Sequence, residues 1–241
     1  MKFSSKPSSE TAALIPAYNE EKNIEEVIKK TKQYIENIIV IDDGSTDKTN
    51  ELAKNLGVLV LTHEKNKGKG EAMKTGINHI LSNIPEIKNL VIIDADMQYE
   101  PSESTKVLQP LLNNEADFVM GCRNWKQVPF RHKLGNFVWK VFFNILFGTK
   151  LKDVSCGIIA LTRKSLEEIK NISGGYIIES SILAQCITNR LRISQAPVNV
   201  TYKQKSGIVR GIRMVLGIML FITTKGIKYR LDNKRAINEG D

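Results

Sequence analysis

The sequence of 241 residues contains only three cysteines, Cys122, Cys156 and Cys186. An odd number cannot pair completely, and no two of them have the CxxC spacing of a redox or metal motif. The first ten residues are polar and lack the apolar centre of a signal peptide. These absences exclude a disulfide-stabilised scaffold, and we expect a reduced, cytoplasmic protein.

Long apolar segments and nucleotide-binding glycine motifs are also missing. The longest apolar run, Met214–Ile222, has nine residues, whereas a membrane-spanning helix needs about 20. The sequence has no GxxxxGK[ST] motif. Gly68-Lys-Gly70 begins a GxGxxG motif, but Met73 stands where the third glycine belongs. A membrane-spanning helix, a P-loop and a dinucleotide site are therefore disfavoured.

Positive charge is in excess and unevenly distributed. The net charge is +9. Residues 203–235 contain nine basic residues and one acid, and residues 123–152 contain seven basic residues and no acid. The rest of the chain is therefore mildly acidic. Two basic segments on an acidic body predict an anionic partner. We do not expect nucleic acid, because no recognition motif is present and the cations flank apolar helices.

Short apolar runs alternate with amphipathic segments in the first half of the chain. Five runs predict buried strands: Ala12–Pro16, Asn37–Asp42, Val58–Thr62, Asn89–Asp94 and Asp117–Cys122. Apolar residues at helical spacing lie between most of them, which is typical of a parallel, doubly wound α/β sheet. Further along, the pattern predicts a strand, a helix and an edge strand that contains Pro197: Gly157–Thr162, Ile177–Arg190 and Arg192–Tyr202.

Polar clusters follow the first, second and fourth predicted strands, where ligands bind in sheets of this kind. Asp94 and Asp96 are two residues apart at a strand end, and Gln98 adds a neutral oxygen. Oxygen ligands of this kind suit Mg²⁺ or Mn²⁺, with substrate phosphates and water completing the coordination. The alternative is a solvated acidic turn.

Two other loops at this edge also have two interpretations. Asp43 could accept hydrogen bonds from a nucleobase or a ribose, or its loop could be a turn that caps the next helix. Lys69 could contact a diphosphate, or the segment 66–70 could be a flexible basic loop.

Six segments occur in a characteristic order: Ile15–Glu20, Val40–Asp47, Asn66–Gly70, Asp94–Gln98, Gly121–Arg123 and Asp153–Gly157. In this order they resemble the family 2 glycosyltransferases, most of all the branch of dolichyl-phosphate mannosyltransferases and polyprenyl-phosphate glycosyltransferases. The resemblance covers roughly residues 11–205. It implies a GT-A fold, which is a Rossmann-like, mostly parallel sheet flanked by helices. It also implies a nucleotide-sugar donor, a divalent metal and inversion at the anomeric carbon.

The resemblance also implies roles for individual residues. The nucleoside-binding set is Pro16, Tyr18, Glu20 and Asp43. The segment Asp94-Ala95-Asp96 would bind the diphosphate and, with Gln98, the metal. Arg123 would meet the acceptor phosphate, together with a later basic residue for which Lys205, Lys203 and Arg210 are candidates.

Glu179 stands where some relatives carry a general base, and it could instead hold basic residues or a helix end. A lipid phosphate acceptor needs no base, because it is already a dianion at neutral pH. Mannose transfer from GDP-mannose to dolichyl or polyprenyl phosphate is our first choice, with glucose from UDP-glucose as an alternative. Two other hypotheses remain open: a transferase for soluble acceptors that uses Glu179 as base, and a non-catalytic nucleotide-sugar binder with a membrane-protein partner.

The basic segments contain the two most apolar helices that the sequence predicts. One lies near residues 131–147, and the second covers much of Gly207–Arg230. Each has cations beside an apolar stretch, which is typical of helices lying on an anionic membrane surface. The alternative is a core helix, which apolarity alone would favour. We therefore expect a catalytic domain of residues 1–205 and a basic, amphipathic helical extension of residues 206–241. The whole would bind peripherally to the cytoplasmic face of a membrane.

Overall fold

The computed structural model describes residues 9–124, 128, 130–169 and 178–201, together with residues 223, 226, 227, 229 and 231. Lys203, Lys205 and Arg210 lie outside the described residues, as does most of the expected extension 206–241. Among the described residues, no helix has both the length and the apolar character needed to cross a bilayer.

Seven strands of the described residues form one sheet: β1 Thr11–Ala17, β2 Asn37–Asp42, β3 Leu59–Thr62, β4 Asn89–Ile92, β5 Phe118–Arg123, β6 Ile159–Thr162 and β7 Ile193–Val198. Their order in the sheet is β3-β2-β1-β4-β6-β5-β7. All neighbouring pairs are parallel except those of β6, which runs antiparallel to β4 and β5. The predicted mostly parallel α/β sheet is confirmed, and β7 lies at its edge as Pro197 indicated.

In the part of the chain that the structure describes up to residue 201, seven α-helices flank the strands: α1 Ile24–Thr31, α2 Thr49–Asn55, α3 Lys69–Asn83, α4 Ser104–Leu112, α5 Phe130–Phe147, α6 Arg163–Glu168 and α7 Ile178–Thr188. A 3₁₀ turn, Pro101–Glu103, leads into α4. Helix α3 packs against β1 and β2, and α4 packs against β4 to β7. In α1 the buried residues Ile24, Val27, Ile28 and Thr31 fall on one stripe of the helix, so a single face meets the core.

The central strand β1 is buried along its whole length, and β2 is buried from Ile38 to Asp42. Strands covered on both faces consist of apolar runs rather than alternating patterns. Because β5 and β4 both run opposite to β6, the strands β1, β2, β4 and β5 all end at the same edge of the sheet. We call this the carboxyl edge. It brings together the polar segments that the sequence placed after these strands.

Candidate functional site

The loops after β1 and β2 are joined by reciprocal hydrogen bonds. Asn19 N donates to Ser45 Oγ at 2.9 Å, and Thr46 N donates to Asn19 Oδ1 at 2.9 Å. Asn19 has a φ of 53°, in the left-handed region that asparagine tolerates better than most residues. The tyrosine before it, Tyr18, is 44% exposed. Its ring is therefore accessible to a ligand above a fixed backbone.

Pro16 and Glu20, also in the predicted nucleoside-binding set, differ in exposure. Pro16 is buried in β1 and pairs with Ile41 of β2. Glu20 is half-buried; its backbone N donates to Thr49 Oγ1 at 2.8 Å, and its Oε2 accepts from Asn23 Nδ2 at 2.7 Å. Both residues lie at the carboxyl edge, and their contact with a nucleoside remains a prediction.

Asp43 is nearly buried, with 3% of its side chain exposed. Its Oδ1 lies 2.7 Å from His63 Nδ1 and accepts from Lys67 N at 2.9 Å, while its Oδ2 accepts from Gly68 N at 2.7 Å. His63 Nε2 lies 2.9 Å from Thr75 Oγ1 on α3. The Asp43 carboxylate thus fixes the loop between β3 and α3. The nucleoside contact proposed for it remains a prediction.

Lys69, the first residue of α3, forms ion pairs with Asp94, which follows β4, and with Glu179 of α7. Its Nζ lies 2.5 Å from Asp94 Oδ1 and 2.6 Å from Glu179 Oε1. Burial alone would lower the pKa of Lys69, but the Asp94 and Glu179 carboxylates outweigh it and raise the pKa above its ordinary value. The ammonium is therefore held charged between two carboxylates. Glu179 makes an ion pair with a basic residue, one of the two roles that the sequence left open.

Asp94, Ala95 and Asp96 directly follow β4. Ala95 is buried, whereas Asp94, Asp96 and Gln98 are half-buried. Gln98 N donates to Asp96 Oδ1 at 3.0 Å. A Cβ at position 157 would overlap Asp94 Oδ2, so Gly157 keeps open the space that this oxygen occupies.

These residues fit a divalent cation that is shared with a substrate. Among the described residues, no group of three His, Cys, Asp or Glu side chains could hold a metal by itself. Two carboxylates and one amide oxygen leave an octahedral Mg²⁺ or Mn²⁺ short of ligands. Phosphate oxygens and water supply the remainder at sites of this type.

Arg123 ends β5 and is held by the loop before β6. Its Nε donates to Asp153 Oδ2 at 2.7 Å, and its Nη2 donates to Asp153 Oδ1 and to Ser155 Oγ, both at 2.8 Å. The Arg123 side chain is 10% exposed and that of Asp153 is 2% exposed. Burial alone would lower the pKa of Arg123, but hydrogen bonding to Asp153 raises it. The guanidinium is therefore a fixed cation at the carboxyl edge.

Next to Arg123 lies an open cavity of about 900 Å³, which we call the basic cavity. Its charged lining residues are Lys106, Arg123, Lys140, Lys150 and Lys152, and no acidic residue is among the described residues that line it. Helix α5 forms one wall. On the same helix, four apolar side chains are exposed by 37–61%: Phe137, Val138, Val141 and Ile145. We call these four the α5 stripe. Positive charge and exposed apolar surface are thus adjacent.

The sequence assigns no role to His63 or Asp153. In the structure His63 contacts the Asp43 carboxylate, and Asp153 accepts hydrogen bonds from Arg123. Asp153 begins the motif Asp153–Gly157, but Arg123 is 30 residues away in the chain. His63 follows an apolar strand without any local motif. Finding either role required knowing which strands are neighbours in the sheet.

Comparisons with known proteins agree with this geometry. The family model described as Glycosyl transferase family 2 matches residues 12–170. The UDP-N-acetylglucosamine–dolichyl-phosphate N-acetylglucosaminyltransferase of Methanococcus voltae is 30% identical, over 86% of this chain and 92% of that protein. The polyprenol monophosphomannose synthase of Mycolicibacterium smegmatis is 26% identical, over 96% of this chain and 92% of that protein.

A solved structure shares the fold. The glucosyl-3-phosphoglycerate synthase of Mycobacterium tuberculosis, in complex with Mn²⁺, UDP-glucose and phosphoglyceric acid, superposes with a TM-score of 0.74. The match has 22% sequence identity and covers 90% of this chain and 79% of that one. The expected GT-A fold is thereby confirmed.

Proposed function

The chain belongs to glycosyltransferase family 2, and on that basis we propose that it transfers a hexose from a nucleotide sugar to a polyprenyl phosphate, with inversion at the anomeric carbon. Glycosyl transfer is the activity of the family. The acceptor is supported by the two relatives, since one is named for dolichyl phosphate and the other for polyprenol monophosphomannose.

The observation that carries the choice of acceptor is the ion pair between Lys69 and Glu179. Glu179 is the residue that the sequence offered as a general base, and its Oε1 is bound by an ammonium 2.6 Å away. A sugar or alcohol acceptor needs such a base to remove its proton. A phosphomonoester, with a second pKa of about 6, is already a dianion at neutral pH. It can attack the anomeric carbon once it is correctly oriented.

In this proposal, Asp94, Asp96 and Gln98 hold Mg²⁺ or Mn²⁺. The cation would stabilise the charge that develops on the leaving nucleoside diphosphate. Lys69 adds a second positive charge for the diphosphate. Pro16, Tyr18, Glu20 and Asp43 form the nucleoside side of the site, and Ala95 lines the diphosphate position between the two aspartates.

Arg123 orients the acceptor phosphate. Asp153 fixes one edge of its guanidinium and aligns the group without being itself in contact with substrate. We propose that Lys205 contributes the later basic residue. In this arrangement the acidic, metal-binding half of the site takes the donor and the basic half takes the acceptor.

The membrane is the proposed source of that acceptor. The α5 stripe and the basic cavity present apolar and cationic groups side by side, as in helices that lie at a membrane interface. The ring centroid of Tyr229 lies 5.5 Å from that of Phe147 at the end of α5, so this one residue of the expected extension contacts the same helix. We propose that residues 1–205 are the catalytic domain and that residues 206–241 extend the membrane-binding surface on the cytoplasmic face.

Transfer of a radiolabelled sugar into organic-extractable lipid tests this function. The donors are GDP-mannose, UDP-glucose and UDP-N-acetylglucosamine, each offered with dolichyl or undecaprenyl phosphate and with Mg²⁺ or Mn²⁺. Mannose is our first choice of sugar. Transfer from one donor, dependent on both metal and lipid phosphate, supports the proposal. No transfer with any combination contradicts it.

A further inference from the structure

Lys69 occupies a position next to the carboxylate that the proposed metal needs. Its Nζ is 2.5 Å from Asp94 Oδ1 and 2.6 Å from Glu179 Oε1. Three separate elements supply these groups: the first turn of α3, the segment after β4 and the first turn of α7. The Lys69 side chain is 31% exposed, so it is not sealed off from solvent.

A metal ion that binds Asp94 through Oδ1 would compete with the Lys69 ammonium, which already contacts that oxygen. The carboxylate oxygen that receives the ammonium cannot bind a divalent cation closely while the ammonium stays in place. Two cations a few ångströms apart also repel each other strongly in a partly buried site. Metal binding therefore requires Lys69 to find another partner.

We propose that Lys69 is an internal substitute for the metal at Asp94 and that it makes metal binding depend on nucleotide binding. This inference rests on the proposed function, because it takes Asp94 as a metal ligand. The diphosphate of an incoming nucleotide accepts the Lys69 ammonium and so releases Asp94 to the metal. Glu179 holds the ammonium near the diphosphate position and prevents it from swinging into solvent.

The consequence is a coupling between two ligands. Metal alone binds weakly, because Lys69 must be displaced without compensation. Nucleotide binding removes that cost, and by thermodynamic linkage the metal strengthens nucleotide binding by the same factor. The protein without nucleotide thus keeps its carboxylates neutralised, and the complete site forms only around a metal–nucleotide complex.

Titration with Mn²⁺, followed by the electron paramagnetic resonance of the free ion, measures this directly. The titration is run on the full chain without nucleotide, with UDP and with GDP. Lys69→Met removes the charge and retains the length of the side chain. We expect it to tighten nucleotide-free Mn²⁺ binding by about tenfold and to reduce the effect of nucleotide, since couplings of this kind are typically about 5–150-fold. Lys74→Met, an exposed α3 lysine beside Glu71, is the matched control and should change neither.

Glu179→Gln is a second variant, and we expect it to change nucleotide-free Mn²⁺ binding in the opposite direction to Lys69→Met. It removes a negative charge but leaves the ammonium on Asp94, so nucleotide-free Mn²⁺ binding should weaken. General damage to the site would weaken Mn²⁺ binding in both variants, and that outcome overturns the inference. Unchanged Mn²⁺ binding in Lys69→Met also overturns it, even where the wild type binds Mn²⁺ with nucleotide. A wild type that binds no Mn²⁺ with either nucleotide overturns the proposed metal site as well.

Discussion

Arg123 and Asp153 form a bidentate ion pair, with Arg123 Nε 2.7 Å from Asp153 Oδ2 and Arg123 Nη2 2.8 Å from Asp153 Oδ1. Asp153 also accepts from the backbone N of Arg123 at 3.2 Å. A guanidinium held in this way loses little freedom when it binds a phosphate, because its orientation is already fixed. The pair therefore presents an oriented cation at the carboxyl edge, which is what the proposed acceptor role of Arg123 requires.

Replacement of this arginine by lysine tests that arrangement. Arg123→Lys keeps the positive charge but loses the planar fork that holds Asp153. We expect the KM for polyprenyl phosphate to rise about tenfold or more, while the KM for the nucleotide sugar changes less than about threefold. Initial rates at varied acceptor and at varied donor concentration provide both values. Equal changes in the two KM values would contradict an acceptor role for Arg123.

The ion pair of Lys69 with Glu179 predicts that Glu179 is not the general base. Glu179→Gln should keep kcat for lipid-phosphate transfer within about tenfold of the wild type. Removal of a true general base typically costs about 10²–10⁴-fold. The measurement is kcat at saturating donor, acceptor and Mn²⁺, so that weaker metal binding does not enter. A loss of several hundredfold would favour the hydroxyl-acceptor hypothesis instead.

The α5 stripe is predicted to hold the protein on anionic membranes. Val141→Glu together with Ile145→Glu places two charges on the apolar face. Burial of one such side chain contributes about 1.5–3 kcal/mol. We expect binding to phosphatidylglycerol-containing vesicles in a flotation assay to fall at least about tenfold.

A matched control separates this effect from general surface polarity. Leu112→Glu introduces one such charge at an exposed apolar position on α4, 38% exposed, and should leave vesicle binding unchanged. The double variant should also keep its transfer to a short, water-soluble polyprenyl phosphate. If the double variant and Leu112→Glu both float with the vesicles as the wild type does, α5 is not the membrane-binding face.

A stability prediction follows from the ion pair of Asp117 with Arg192. Hydrogen bonds from Arg192 lower the pKa of Asp117, whereas its burial acts in the opposite direction. A carboxyl with a lowered folded-state pKa stabilises the protein above its unfolded pKa of about 3.9, and this contribution is lost as the pH falls through the folded value. Arg192→Met should therefore lower the free energy of unfolding at neutral pH, and the difference from the wild type should narrow below about pH 4. Urea denaturation of wild type and variant at neutral pH and below about pH 4 measures this difference in the free energy of unfolding. If the difference does not change with pH, the Asp117 carboxylate is not its source.

Much of the sheet could be predicted from the sequence because its strands are local patterns. The segments that became β1, β2 and β4 are short apolar runs that end in polar clusters, and burial on both faces produces such runs. The edge position of β7 followed from Pro197, which cannot donate to a neighbouring strand. The antiparallel orientation of β6 had no such signal, because hydrophobic periodicity does not record which neighbour a strand pairs with.

In the candidate site, too, local motifs could be recognised in the sequence, whereas contacts between distant residues could not. The sequence points to Asp94, Asp96 and Arg123 as candidates because they lie in short motifs at strand ends. The contacts of Asp43 with His63, and of Lys69 with Glu179, join residues 20 and 110 positions apart. Such contacts depend on how the helices and loops pack over the sheet. The sequence therefore indicates candidate groups, and the structure shows which residues of the chain they contact.

Asp96→Asn tests whether sugar transfer to a lipid phosphate depends on a metal at the Asp94–Asp96 site. The measurement is radiolabelled sugar recovered in organic-extractable lipid with saturating Mn²⁺, the active donor and polyprenyl phosphate, for wild type and variant side by side. We predict transfer by the wild type and a loss of at least about 100-fold in Asp96→Asn, with weaker metal-dependent donor binding. Unchanged transfer by Asp96→Asn would contradict the assignment.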